Sequence, residues 1–230
     1  TVLGCSAKAS QPSAPEGNKI SQGQPNSSVP LTIKLAMTLN DKSHFYEGAK
    51  EFAKRVSEKS QGRIKVEIYH SGVLGSDREQ AEALQRGTLD MALGGLGPLA
   101  GFVPQIQAFG LPFIFRDRDH VYKVLDGPIG KEVKDTFEQK GIKFLSFWEN
   151  GFRHVTNSRR PIKTVDDLKG LKIRVMENPV HIALWRALGA NPTPMTWTEV
   201  YLALQQKTVD GQENPIAIIY TQKIYEVQKY

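Results

Sequence analysis

One eight-residue pattern occurs twice in this chain. ALQRGTLD at 83–90 is matched by ALQQKTVD at 203–210, with five of eight positions identical. Each copy reads as the end of a helix, a tight turn and the start of a strand. Shared helix–turn–strand grammar can produce such a match by chance. If it is a true repeat, each half of the chain carries a sheet of similar build, and the chain is confined to α/β architecture in two lobes.

The rest of the pattern agrees. Alternating apolar and polar residues predict strands at 31–37, 64–68, 89–93, 142–148, 171–175 and 208–210. Helical spacing follows Ser43, with Phe45, Ala49, Phe52, Ala53 and Val56 on one face and Gly62 as the stop. Ser76 or Asp77 caps a helix ended by Gly87. Helices are also expected at 119–125, 129–140, 165–168, 179–188 and 198–206. A last helix begins at Pro215, with Ile216, Ile219, Tyr220 and Ile224 on its buried side. The stretch 102–115 is apolar but broken by Pro104 and Pro112, and reads as irregular. The join between lobes falls near Asn150 and Gly151, giving lobe I at 31–150 and lobe II at 151–230. In open α/β sheets, ligands bind beyond the carboxyl ends of the strands. The repeat sets Asp77 in register with Trp197 and Gly94 with Asn214, so all four should face a cleft between the lobes.

Ahead of residue 31 the composition changes. Cys5 is the sole cysteine, so no internal disulfide forms. The residues Val2, Leu3 and Gly4 leading into it resemble the lipobox of bacterial lipoproteins, in which cleavage leaves a lipidated cysteine; an ordinary free thiol is the plainer alternative. Residues 6–30 are rich in Ser, Gln, Pro, Gly and Asn, the composition of a flexible tether. Residues 1–30 are therefore expected to be a lipobox remnant and tether. The net charge of +6 favours anionic partners or simple solubility. No Lys/Arg run exceeds two residues, which argues against a nucleic-acid partner.

Arg174 is the first candidate for ligand chemistry. Leu171, Ile173 and Val175 share one face of their strand and Arg174 lies opposite, near its carboxyl end. A guanidinium matches a carboxylate in bidentate fashion, although a solvated strand arginine fits the same spacing. Arg153, just past a strand at the lobe junction, is a second carboxylate donor or a hinge salt bridge. Asn214 offers an amide beside a helix start, or a simple cap. Trp197 walls a pocket or belongs to the core. The glycines of LGGLGP at 93–98 lack phosphate-loop spacing. No G-x-S-x-G elbow, H-E-x-x-H or C-x-x-C pattern is present, and nothing assembles a nucleophile with a base. An enzyme, a cofactor and a metal site therefore find no support.

Several runs together resemble one family, the solute-binding subunits of tripartite ATP-independent periplasmic (TRAP) transporters, often labelled dicarboxylate-binding. They are SDRE at 76–79 with LQRGTLD at 84–90, GLKIRV at 170–175, PTPM at 192–195, EVYLALQ at 199–205, VDGQENP at 209–215 and YEVQ at 225–228. The resemblance covers the chain from about residue 31 onward. It implies a periplasmic-binding-protein-like fold of two lobes that closes on a small organic acid, a C4-dicarboxylate or sugar acid. It also implies an extracytoplasmic location, periplasmic or anchored through Cys5, and delivery to membrane permease subunits. By the same resemblance Arg174 is the carboxylate-binding arginine, Arg153 and Asn214 are further ligand contacts, and Asp77 and Trp197 line the pocket. His44 joins them as a candidate contact. Thr38 and Gly95 stand where sialic-acid-binding members carry asparagine and glutamate, which argues against that ligand. The resemblance further implies that closing helices beyond residue 230 are missing. A ligand-sensing domain that presents the acid to a receptor is the alternative role.

Overall fold

The computed structural model describes residues 2–6 and 29–230. In chain order the elements are β1 (Val2–Ser6), β2 (Leu31–Met37), α1 (His44–Lys59), β3 (Ile64–Tyr69), α2 (Asp77–Arg86), β4 (Met91–Gly94), α3 (Arg118–Leu125), α4 (Pro128–Glu138) and β5 (Ile142–Phe147). They are followed by β6 (Arg153–Asn157), β7 (Lys172–Val175), α5 (Pro179–Ala187), β8 (Asn191–Pro194), α6 (Trp197–Gln205), β9 (Gly211–Pro215) and α7 (Ile216–Thr221). Short 3-10 turns fill 97–110, where Pro98 and Pro104 open each turn.

Local chemistry accounts for the helix ends that position the site. Ser76 caps α2 by accepting from the Glu79 N–H, and the Glu79 carboxylate returns the bond to the Ser76 N–H at 2.7 Å. Such a reciprocal cap is worth about 1 kcal/mol. Gly87 ends the same helix in the left-handed region, at φ 70°. Asn178 caps α5 through the Val180 and His181 N–H groups.

The strands form two sheets, in the orders β3-β2-β4-β1-β5 and β6-β9-β7-β8. In the first, β2 runs parallel to β3 and β4, while β1 is antiparallel to β4 and β5. In the second, β7 is parallel to β8 and β9, and β6 is antiparallel to β9. The unit β2-α1-β3-α2-β4 is thus repeated as β7-α5-β8-α6-β9, in the same spatial order. The shared aspartate of the two sequence copies has one job in both lobes. Asp90 accepts from the Lys34 N–H at 2.9 Å, and Asp210 from the Lys172 N–H at 2.8 Å. Each ties the turn before the last strand of the unit to the first. By this equivalence 171–175 corresponds to β2, since β7 and β2 each lie between the other two strands of their unit.

Side-chain alternation sorts the cores. Leu35, Met37, Val66, Met91 and Leu93 pack with Phe45 and Ala49 of α1. Ala36, Ala92, Ile142 and Phe144 pack on the opposite face with Ala81, Leu84 and Phe137. In lobe II, Ile173 and Val175 bury against Trp185 of α5, while Val200, Ala203, Leu204 and Val209 form a cluster around α6.

Several expectations change. Val2–Ser6 is a paired strand, with Cys5 opposite Met91 on one side and Lys143 on the other. Ordered backbone therefore begins well before residue 31; the remainder of the expected tether, residues 7–28, lies outside the described residues. The strand expected at 208–210 is turn, and β9 starts at Gly211, because the tie from Asp210 to Lys172 places pairing after it. Arg153 lies within β6 and not in a loop, and β8 carries two prolines that hide its strand character. Pro215 is the cap before α7 rather than its first residue. That helix stops after six residues and turns at Lys223, φ 57°. Ile216 and Tyr220 are consequently exposed, and Ile218 and Ile224 are the buried residues of this segment. Ile218 joins the lobe I core, and Asn40 donates to the Thr221 carbonyl at 3.0 Å. The chain has crossed back to lobe I by residue 218, so a lobe boundary at 150 does not describe α7.

Candidate functional site

Between the lobes lies a cavity of about 550 Å3, its open mouth included. The carboxyl ends of both sheets supply its wall. From lobe I come Thr38 just after β2, Asp77 at the head of α2, and Gly94 and Gly95 at the end of β4. From lobe II come Arg153 of β6, Arg174 of β7, Trp197 at the head of α6, and Asn214 of β9. The two register pairs from the repeat, Asp77 with Trp197 and Gly94 with Asn214, both meet at this cavity. The duplication thus sets an acid opposite an aromatic and a glycine opposite an amide. Across the cleft the lobes touch where the Asn178 amide donates to the Gly97 carbonyl at 3.4 Å.

Arg174 is almost wholly buried, at 2 % exposure. Its Nε and Nη2 donate to the Met195 carbonyl at 3.0 and 2.6 Å, and its guanidinium carbon sits 5.6 Å from the centre of the Trp197 ring. A guanidinium has five N–H donors, so these contacts leave most of its donor capacity unused. Among the described residues no carboxylate is within ion-pair distance of it. Burial pushes its pKa down to about 10, with Glu213 acting in the opposite direction; a cation remains at neutral pH.

Arg153 is different. It donates through Nε and Nη2 to both carboxylate oxygens of Glu213, through Nη2 to the Glu213 carbonyl at 2.7 Å, and to the Asn214 Oδ1 at 3.2 Å. Burial would raise the Glu213 carboxyl, but Arg153 and His181 reverse this and hold it at about 2. The pair is therefore charged and mutually neutralised, and of the two arginines only Arg174 offers net positive charge. The Asn214 amide is also engaged, donating to Gln212 Oε1 at 2.6 Å.

On the facing wall, Asp77 accepts from the Thr38 hydroxyl at 3.3 and 3.4 Å and from the Gly95 N–H at 3.4 Å. Burial raises its carboxyl to about 6, against the opposing effects of these donors and of Arg174. A Cβ at Gly94 would lie 2.4 Å from Asp77 Oδ1, so any side chain there displaces that carboxylate. At Gly95 a Cβ would meet only Pro98, at 3.6 Å, so that position opens onto free space.

Seven of the eight residues singled out in the sequence line this one cavity: Arg174, Arg153, Asn214, Asp77, Trp197, Thr38 and Gly95. His44 does not; it stands exposed at the start of α1, its ring against Phe45. Sequence reasoning missed Glu213, which sits in the recognised VDGQENP run but whose partnership with Arg153 spans 60 residues. It also missed Asn150 on the cavity wall, whose side-chain oxygen is buried without a hydrogen-bond partner among the described residues.

The fold is thus a duplicated α/β unit whose two lobes enclose a cavity holding a buried arginine with no ion pair among the described residues. The chain belongs to family 7 of the bacterial extracellular solute-binding proteins (DctP), whose model matches residues 35–230. It is 46% identical over 199 residues to a solute-binding protein of Verminephrobacter eiseniae, covering 86% of this chain and 59% of that one. To the 2,3-diketo-L-gulonate-binding periplasmic protein YiaO of Escherichia coli it is 43% identical over 182 residues, covering 79% of this chain and 56% of that one. Among solved structures, a TRAP periplasmic solute-binding protein from a Polaromonas species with D-erythronate superposes with a TM-score of 0.84 at 44% identity, covering 86% of this chain and 66% of that one. One from Sulfurospirillum deleyianum with succinate gives 0.84 at 41%, covering 87% and 65%. The expected resemblance to TRAP solute-binding subunits and the two-lobed fold are thereby borne out. The chain spans less than two thirds of the length of these curated relatives.

Proposed function

We propose that this chain captures a small organic acid outside the cytoplasm and delivers it to the permease subunits of a TRAP transporter. The observation that carries the reading is Arg174: a buried cation in the interlobe cavity, free of any ion pair among the described residues, with donors to spare. A charge-assisted, bidentate pair with a carboxylate is the interaction that satisfies it. The relatives are consistent with this, since erythronate, succinate and diketogulonate are all carboxylates. The Trp197 ring lies within cation–π distance of the guanidinium, while the Arg153–Glu213 pair links β6 to β9 at the lobe junction. Binding and release through lobe movement ask for no nucleophile or base, so the role is capture and not catalysis. Calorimetric titration of the full-length protein with aldonates, uronates, keto acids and C4-dicarboxylates is the test. Failure of every acid to bind, or undiminished affinity after Arg174→Ala, would sink the proposal.

Lipid anchoring through Cys5 is a separate proposal about location. Cleavage before Cys5 takes Val2, Leu3 and Gly4 out of β1, so a lipidated molecule vacates most of the slot between β4 and β5. Mass spectrometry of the protein recovered from membranes decides it: a diacylglyceryl cysteine at the N-terminus supports anchoring, and an intact peptide spanning 1–6 refutes it.

A further inference from the structure

The cavity is chemically polarised, and the polarity bears on which acids enter it. The lobe II wall donates. Arg174 supplies the net positive charge, because Arg153 is already neutralised by Glu213. The wall contributed by lobe I and the lobe junction accepts. Asp77 carries a carboxylate with about four lone-pair sites. Its protein donors are the Thr38 hydroxyl and the Gly95 N–H, all at 3.3–3.4 Å, the long end of hydrogen bonding. It has no ion-pair partner among the described residues. Asn150, which lines the same cavity, holds a buried side-chain oxygen with no hydrogen-bond partner among the described residues. An acceptor without a donor in a desolvated site is costly, so a ligand that supplies donors gains what the empty cavity lacks.

Resting on the carboxylate-capture reading, we infer that the ligand is a hydroxylated monocarboxylate, with its carboxylate on Arg174 and its hydroxyls donating to Asp77 and Asn150, and that Asp77 excludes dicarboxylates. Arg174 pairs with one negative group, and the Asp77 carboxylate disfavours a second. A second carboxylate at the Asp77 end sets like charges about 5 Å apart, a repulsion of roughly a hundredfold in affinity at an effective dielectric near 20. Hydroxyl donors at the same place form charge-assisted bonds, each worth on the order of tenfold. A plain alkanoate satisfies Arg174 but adds no donor for Asn150 and none to the long bonds that Asp77 already accepts.

Calorimetry at pH 7.5 on the full-length protein tests this with three probes: erythronate or galactonate, butyrate, and succinate. The wild type is expected to prefer the aldonate by about a hundredfold over succinate and at least tenfold over butyrate. In Asp77→Asn, the aldonate weakens about tenfold while succinate gains, so the preference collapses. Wild-type succinate binding as tight as aldonate binding overturns the inference, as does an Asp77→Asn variant that weakens all three probes equally. Should that variant fail to fold, as judged by circular dichroism, the wild-type ranking alone decides. The two readings fail differently. If no acid binds the wild type, carboxylate capture itself is wrong; if succinate binds and depends on Arg174, only the Asp77 inference is.

Discussion

Arg174→Met separates a binding residue from a structural one. In the ligand-free protein, holding this side chain charged is unfavourable: the fall of its pKa from 12.5 to about 10 corresponds to about 3 kcal/mol. Against that stand the two N–H contacts to the Met195 carbonyl, together worth about 1.5–3 kcal/mol for a charged donor. The opposing contributions nearly cancel. Methionine fills similar volume and carries no charge, so the stability of the ligand-free variant should lie within about 2 kcal/mol of wild type, or roughly 5 °C in Tm. Binding should behave otherwise. Loss of a desolvated, bidentate partner costs about 2–5 kcal/mol, a rise in Kd of roughly 30- to 5,000-fold. Differential scanning calorimetry with and without ligand, paired with isothermal titration, reads both quantities. The reasoning is refuted if affinity falls less than tenfold. It is equally refuted if Tm collapses by more than about 10 °C, since Arg174 would then be holding the strand end together.

Other residues of the site give distinct signatures. Asp77 has a folded-state pKa of about 6, above its ordinary 3.8. Its contribution to stability is full below about pH 4 and is lost as pH rises through 6; urea titrations of the ligand-free protein should show wild type weakening by about 2 kcal/mol across that window while Asp77→Asn stays flat. Glu213 has the opposite sign: its carboxyl is held at about 2, so its contribution is present above pH 4.5 and lost as pH falls toward 2. Glu213→Gln should cost about 3 kcal/mol at pH 7 by stranding Arg153, and little at pH 2, by the same denaturation assay. Gly94→Ala places a methyl 2.4 Å from Asp77 Oδ1 and should weaken ligand binding at least tenfold by calorimetry, an effect of about 1.4 kcal/mol or more, through displacement of that carboxylate.

Much of the fold could be read from short-range pattern. The strand at 31–37, the Ser76 cap and the Gly87 stop follow from periodicity and capping chemistry that act over a few residues. The repeat was legible because its aspartate performs the same hydrogen bond twice. Misplacements occurred where a long-range contact overrode local preference. β9 begins three residues late because Asp210 is spent on Lys172, and β8 is a strand despite two prolines because β7 pairs with it on one side only. The last helix is shorter than its apolar pattern predicts because Lys223 turns the chain where that pattern continues.

The amino-acid sequence alone determined the α/β class, the duplication, and the face of β7 that carries Arg174, since each depends on spacing within one element. It also named seven of the residues that share the cavity. Only the tertiary structure decided their charges. Arg153 and Arg174 look alike in the sequence, yet Glu213, 60 residues from Arg153 along the chain, neutralises one, while the other has no ion pair among the described residues. Burial then raises the Asp77 carboxyl and leaves the Asn150 side-chain oxygen without a partner among the described residues. Charge compensation and desolvation depend on distances through space, and periodicity along a chain holds no record of them.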